Sequence, residues 1–255
     1  MAAQEHPRAR PRHAHRHRSS RVAAAVLAAG LIGVSATACA STPSASAETG
    51  TTDSGRTTRS AGHTSGLPAA LAEDGTTIVV GKRDAPRTVR ISVDPQCGYC
   101  AKFENGGGEA VAKAVATGTV KAEYTIASFL DRGEVAGSTR AANAMRAALE
   151  QGKFAEYQEA VFAAQDSEEA EGFTDAFLLK LASRVPGLRG AAFDKAVAEL
   201  SYGDWVEASQ RAFRASGEES VPSVLVDGTK VEDADVLFHA GRFAELLSQG
   251  VPSRP

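Results

Sequence analysis

Thr88-Val89-Arg90-Ile91-Ser92-Val93-Asp94-Pro95-Gln96-Cys97-Gly98-Tyr99-Cys100 joins an alternating segment to a pair of closely spaced cysteines. Thr88 to Val93 alternates in the manner of a half-buried strand. A C-x-x-C pair follows at once, and the residues after Cys100 have helical composition. A strand that ends in C-x-x-C and leads into a helix presents a redox-active dithiol. The spacing has a physical reason. One helical turn brings the side chains of positions i and i+3 together, so two sulfurs can bond with little backbone movement. The first thiol then sits where unpaired helix N–H groups and the helix dipole favour a thiolate. Half a zinc site and an inert structural clip are the competing readings. Zinc needs four ligands, and the only other cysteine is Cys39, followed by just two histidines, His63 and His239. The ligand supply disfavours zinc, and no metal is expected.

Outward from this stretch, the chain divides by charge. It has 255 residues and a net charge of −3. Residues 1–21 hold six Arg against Glu5, a balance of +5, so residues 22–255 carry −3 − 5 = −8. An acidic body argues against nucleic acid as a partner, because phosphate binding needs clustered Lys and Arg. The basic head is followed by the uncharged apolar run Val22 to Val34 and then by Ser35-Ala36-Thr37-Ala38-Cys39. Basic n-region, short apolar h-region and small-residue site together predict an export signal over 1–38. The run is short and rich in Ala and Gly, whereas a membrane-spanning helix wants ~20 predominantly apolar residues. Ala36-Thr37-Ala38-Cys39 resembles the lipobox of bacterial lipoproteins, with Ala36 departing from the usual Leu, Val or Ile. That resemblance implies lipidation of Cys39 and anchoring to the outer face of the cell membrane. Ala36-Thr37-Ala38 also fits ordinary signal peptidase, which would give a secreted protein. Residues 39–66, rich in Ser, Thr, Ala and Gly, read as a flexible tether. The folded domain is expected from residue 67 onward, within 67–255.

Inside the domain, Thr76 to Val80 and Thr88 to Val93 predict strands. Lys102 to Ala116 predicts a helix that Gly106-Gly107-Gly108 shortens or kinks, since each glycine costs ~1 kcal/mol against Ala. Val120 to Phe129 predicts a strand. Helices are expected from Thr139 to Glu150 with Ser138 as N-cap, around Phe154 to Phe162, from near Thr174, from Ala191 to Leu200, and from Asp204 to Ala215. The aromatic residues of this block are read as packed core rather than a substrate groove. Val221-Pro222-Ser223-Val224-Leu225-Val226 returns to strand, Asp227-Gly228 signals a hairpin, and one last helix is expected from Asp233 to Leu247.

With these segments in place, the chain resembles DsbA-type members of the thioredoxin superfamily. The match rests on Val80-Gly81-Lys82-Arg83-Asp84-Ala85-Pro86, on Val93 to Glu104, on the helical block, and on Val221 to Gly228. The resemblance implies an α/β thioredoxin-like fold with a helical insertion at about 136–218. It implies a thiol–disulfide oxidoreductase with Cys97 as the exposed nucleophile and Cys100 as the more buried resolving cysteine. Gly98 and Tyr99 would tune the dithiol. Pro222 would be cis and adjacent to it, and Val221 would offer backbone groups to an extended substrate. No cofactor beyond the Cys97–Cys100 disulfide is implied. The partners would be exported protein thiols or disulfides and a membrane redox protein. Pro95 and Gly98 depart from the family's usual Phe/Tyr and Pro, and Gly-Tyr between the cysteines is similar to disulfide isomerases. The expected activity is donation of disulfides, with a reductase or isomerase, or a non-catalytic peptide-binding lipoprotein, as alternatives. A Cys–His hydrolase would need a histidine within hydrogen-bond reach of Cys97, and His239 is the only domain candidate. Asp94 is read as a turn residue in preference to a buried carboxylate, and Tyr202 and Trp205 as core.

Overall fold

The computed structural model describes residues 64–131, 136–165 and 172–250. The expected signal over 1–38, Cys39 and all but the last residues of the 39–66 tether lie outside them.

Six strands form one sheet: β1 (Ala69–Leu71), β2 (Ile78–Val80), β3 (Arg87–Val93), β4 (Val120–Ile126), β5 (Ser223–Val226) and β6 (Thr229–Lys230), in spatial order β1-β2-β4-β3-β5-β6. β3 and β4 run parallel, with Val89 opposite Ala122 and Val93 opposite Ile126. Their connection is helical, α1 (Gly98–Glu104) and α2 (Gly107–Thr117), as a parallel crossover requires. β5 pairs antiparallel with β3, and β2 antiparallel with β4. β4 alternates strictly, burying Val120, Ala122, Tyr124 and Ile126. β1 has no counterpart in the sequence reading. Its three residues Ala-Ala-Leu carry no β-branched signal, and pairing with β2 makes the strand.

Between β4 and β5 lie α3 (Gly137–Glu150), α4 (Phe154–Ala163), α5 (Asp175–Ala182), α6 (Ala191–Ala198) and α7 (Gly203–Ala215). Phe154, Tyr157, Phe162, Phe173 and Phe193 are all buried, with T-shaped Tyr157–Phe193 and Tyr124–Phe154 contacts. The block is therefore a packed core joined to the sheet, not a groove lining. Thr174 caps α5, its hydroxyl accepting the Phe177 N–H. Trp205 and Tyr202 pack partly buried against the core, and both rings lie beside the Arg146 guanidinium.

Two local expectations change and a third gains a cause. The expected final helix is two, α8 (Ala234–Phe238) and α9 (Ala240–Gln249), because His239 takes an extended conformation at φ −123°. The strand at Val120 stops at Ile126: after a last backbone bond from Ala127 N–H to the Val93 carbonyl, side chains take the amides, Gln210 that of Ser128 and Asp94 that of Leu130. The glycine run does break the helix, and its cause is contact. A Cβ on Gly106 or Gly107 would sit 2.4 Å from the carbonyl oxygen of Phe238 or Leu237. The end of α8 thus lies directly against the α1–α2 junction. At the β5–β6 hairpin, Asp227 (φ 49°) and Gly228 (φ 83°) both adopt the positive φ of a type I′ turn. The Asp227 carboxylate accepts from Thr88 N–H and pairs with Arg87, tying the turn to β3.

Candidate active site

β3 delivers the dithiol. After Val93 the chain turns, with the Cys97 N–H donating to the Asp94 carbonyl at 3.0 Å, and Cys97 becomes the N-cap of α1. Both cysteines are free thiols. Cys97 is less open than the exposed nucleophile the sequence leads one to expect: only 9 % of the residue is accessible, against 0 % for Cys100. The strand carrying Pro222 accounts for the cover. The Val221–Pro222 peptide is cis, as the resemblance implies. It places the Val221 carbonyl 3.5 Å from Cys97 Sγ, where it accepts the thiol proton.

The two thiols are chemically split. Cys97 is lowered to about 7, first by a hydrogen bond from the Cys100 thiol and then by the Cys100 and Tyr99 N–H groups of the helix start; burial and the Asp94 charge oppose this. Cys100 is pushed up strongly, first by burial and then by its donation to Cys97. At neutral pH Cys97 can be a thiolate while Cys100 keeps its proton. That is the asymmetry a nucleophile and a resolving thiol require.

Around the sulfurs, Tyr99 is 65 % exposed and its ring stacks on Phe238 with centroids 6.1 Å apart. Lys102 Nζ sits 4.6 Å from the centre of the same Phe238 ring. Gly98 opens α1 with no side chain to obstruct the approach to Cys97. Val221 is half-buried beside Pro222, at the start of β5. So Cys97, Cys100, Gly98, Tyr99, Val221 and Pro222 come together at one end of the sheet. His239 does not join them. It is exposed between α8 and α9, with Nδ1 bonded to Asp235, whereas the Cys97 thiol is engaged with Val221. Among the described residues no group of three or more His, Cys, Asp or Glu is placed to hold a metal.

Two acidic groups depart from the sequence reading. Asp94 is not a surface turn residue but a fully buried carboxylate. Oδ1 accepts from Gln96 N–H at 2.9 Å and from the Ser138 hydroxyl at 2.6 Å, and Oδ2 accepts from Leu130 N–H at 3.1 Å. Burial nonetheless leaves its carboxyl above the usual range. Ser138 is accordingly not the N-cap of α3: the helix starts two residues earlier than expected, at Gly137 after Ala136, and the serine side chain turns inward. The second group, Glu104, has no place in the sequence reading; it lies four residues after Cys100 on α1. Its carboxyl points inward, with Oε1 shut off from water and unpartnered, and Oε2 3.4 Å from the Tyr124 hydroxyl. Burial raises it to about 8. No sequence signal marks either group, because each depends on what a distant element places beside it.

A parallel β3–β4 pair, a dithiol opening the following helix and an antiparallel strand entered through a cis-proline define a thioredoxin-type domain. Residues 73–237 match the family described as Thioredoxin, and the chain belongs to that family. Its helical insertion places it among DsbA-like folds. MdbA, a thiol-disulfide oxidoreductase from Actinomyces oris, is similar at 22 % identity and TM-score 0.60, covering 74 % of this chain and 91 % of its own. Oxidised BdbD from Bacillus subtilis matches at 20 % identity and TM-score 0.58, over 72 % of this chain and 96 % of its own. The reduced disulfide bond oxidoreductase DsbG from Mycobacterium tuberculosis matches at 26 % identity and TM-score 0.51, over 68 % of this chain and 85 % of its own. No curated protein sequence matches the chain significantly.

Proposed function

We propose that this chain is a thiol–disulfide oxidoreductase that works outside the cytoplasm and donates its Cys97–Cys100 disulfide to exported proteins. The observation that carries it is the dithiol geometry: Cys97 caps α1 with Sγ 3.5 Å from the Val221 carbonyl, and Cys100 lies fully buried in the first turn. A substrate thiolate attacks Cys97 Sγ, the Cys97–Cys100 bond breaks, and Cys100 leaves and takes up a proton. The mixed disulfide is then attacked at the substrate sulfur by the substrate's second thiolate. Cys97 departs as the thiolate that its helix N-terminus favours. The substrate gains a disulfide and the protein two electrons, which a membrane redox partner would remove. The Val221 backbone beside Pro222 would hold the extended substrate by strand addition, with the exposed Tyr99 ring contributing apolar contact.

The proposed location rests on the basic, apolar and small-residue pattern ahead of Cys39. Lipidation of Cys39 would tether the domain to the membrane. Among the described residues no helix is long and apolar enough to cross a membrane. Fatty-acid labelling of the full chain, lost in Cys39→Ala, is the expected result; labelling that survives the substitution sinks the anchor.

A reductase is the second reading. A Cys97 near 7 resembles thioredoxin more than the strongly acidic thiol of the most oxidising relatives. The reduction potential against a glutathione series decides. A value of roughly −120 mV supports donation, and one of about −270 mV overturns it in favour of reduction. Cys100→Ser is expected to trap mixed disulfides with exported proteins, and Cys97→Ser to trap none. Absence of any trapped species would remove both readings and leave a peptide-binding module.

A further inference from the structure

The helical insertion reaches the dithiol through one buried cluster. Ser138, in the first turn of α3, donates its hydroxyl to Asp94 and to Gln96 Oε1 at 3.0 Å. Its N–H is shared between Gln96 Oε1 at 2.9 Å and Asp131 Oδ1 at 2.7 Å. Gly137 permits the approach: a Cβ there would lie 2.8 Å from Gln96 Cδ and from the Gly172 carbonyl oxygen. From the end of α4, the Gln165 side chain donates to the Pro95 carbonyl. The turn Asp94-Pro95-Gln96 that precedes Cys97 is thus gripped on both sides by the insertion. The grip converges on Asp94, whose carbonyl in turn holds the Cys97 N–H.

We infer that Asp94 is a positioning residue that couples the helical insertion to Cys97: its backbone fixes the nucleophile, and its carboxylate, held by Ser138, Gln96 and Leu130, sets a negative charge against the Cys97 thiolate. The charge has few neighbours to offset it. Asp131, ahead of α3, is a like charge that faces Asp94, and Cys97 feels Asp94 as an opposing charge. The donors around the carboxylate are neutral: two backbone amides and one hydroxyl. Its field therefore reaches the sulfur through low-dielectric protein rather than through a cation. The consequence is that Ser138, a residue of the insertion whose hydrogen bonds go to Asp94, Gln96 and Asp131, belongs to the machinery that sets the redox equilibrium.

The inference rests on reading Cys97–Cys100 as the redox pair, and its test needs no protein substrate. The Cys97 thiolate titration, by ultraviolet absorbance, and the glutathione equilibrium are measured on the full chain. Four variants are compared: Asp94→Asn, Ser138→Ala, the double variant, and Asn143→Ala. Asn143 is the control, a buried α3 residue whose bonds to Ala196 and Tyr202 stay within the insertion. Asp94→Asn is expected to move the titration to lower pH and shift the equilibrium about fivefold toward the dithiol, ~20 mV. Ser138→Ala is expected to shift the equilibrium by more than about twofold with Asp94 intact and by less than that in the Asp94→Asn background. Asn143→Ala is expected to lower stability and leave the titration in place. Equal shifts by Ser138→Ala in both backgrounds, or no shift in either, overturn the coupling. If Asp94→Asn does not fold, the contrast between Ser138→Ala and Asn143→Ala decides, and equal responses overturn it. Coupling of the expected size in a protein that oxidises no substrate would sink the proposed function and leave this inference standing.

Discussion

Two carboxyl groups sit inside the protein on either side of the dithiol; burial raises both, and they differ in the donors the fold brings to them. Asp94, before Cys97, receives three donors from three segments. Glu104, one turn beyond Cys100, has a long contact from Tyr124 and the polar Gln158 side chain nearby, and leaves an oxygen without a hydrogen bond. The first is a site where burial is largely answered by hydrogen bonds. At the second it is answered by keeping the proton, with the group raised to about 8. The comparison teaches that burial alone does not determine what an acid does beside a thiol. The donors that come with it do, and at Asp94 the shortest of them comes from the insertion.

Asp94→Leu breaks the comparison most severely. It strands the Gln96 and Leu130 amides in the interior and leaves the Ser138 hydroxyl only its Gln96 contact, and should cost about 3 kcal/mol or more in denaturant unfolding. A loss under about 1 kcal/mol would mean the three donors find other partners. Glu104→Gln should act in the other direction. The native protein keeps the Glu104 proton up to about 8, whereas the unfolded chain releases it near 4.5. Native stability therefore falls as pH rises through that window and levels off above it. Removing the acid should raise stability by roughly 1–3 kcal/mol at about pH 8, with the gain shrinking toward about pH 5. A gain independent of pH would show that Glu104 is not the titrating group.

Ser138→Ala sharpens the contrast at a smaller scale. The hydroxyl's bonds to the charged Asp94 and to Gln96 Oε1 are lost while the backbone donors remain, for an expected cost of about 1–2 kcal/mol. Tyr124→Phe should have the smallest effect, about 0.5 kcal/mol, because a 3.4 Å contact is a weak bond and the ring keeps its packing on Phe154. Its signature is a shift of the Glu104 stability break to higher pH, read from unfolding midpoints across the alkaline range.

The dithiol, its strand and the hairpin at Asp227-Gly228 were legible because their signals are local, whereas the cis bond before Pro222 was implied only by the resemblance. Alternation from Thr88 to Val93, the C-x-x-C spacing and Asp227-Gly228 each state their structure within a few residues. Departures fall where a local signal competes with a distant partner. Ser138 has the chemistry of a cap, yet the buried carboxylate of Asp94 takes its hydroxyl. Asp-Pro has the look of an exposed turn, yet the N-terminus of α3 lies on top of it. Residues 233–247 carry one helical pattern, and the need to bring Leu237 and Phe238 carbonyls against Gly106 and Gly107 coincides with its break at His239.

By itself the sequence determined a strand that ends in C-x-x-C and leads into a helix, and a later run of helices, since period, spacing and turn chemistry are properties of neighbouring residues; the thioredoxin-like fold was what the resemblance to a known family implied. Only the tertiary structure decided how acidic each thiol is, how little of Cys97 meets water, and which of two nearby carboxyls keeps its proton. Those depend on desolvation, on hydrogen-bond donors brought from α3 and β4, and on the Val221 carbonyl that accepts from Cys97, and such through-space terms leave no mark in the order of residues along the chain.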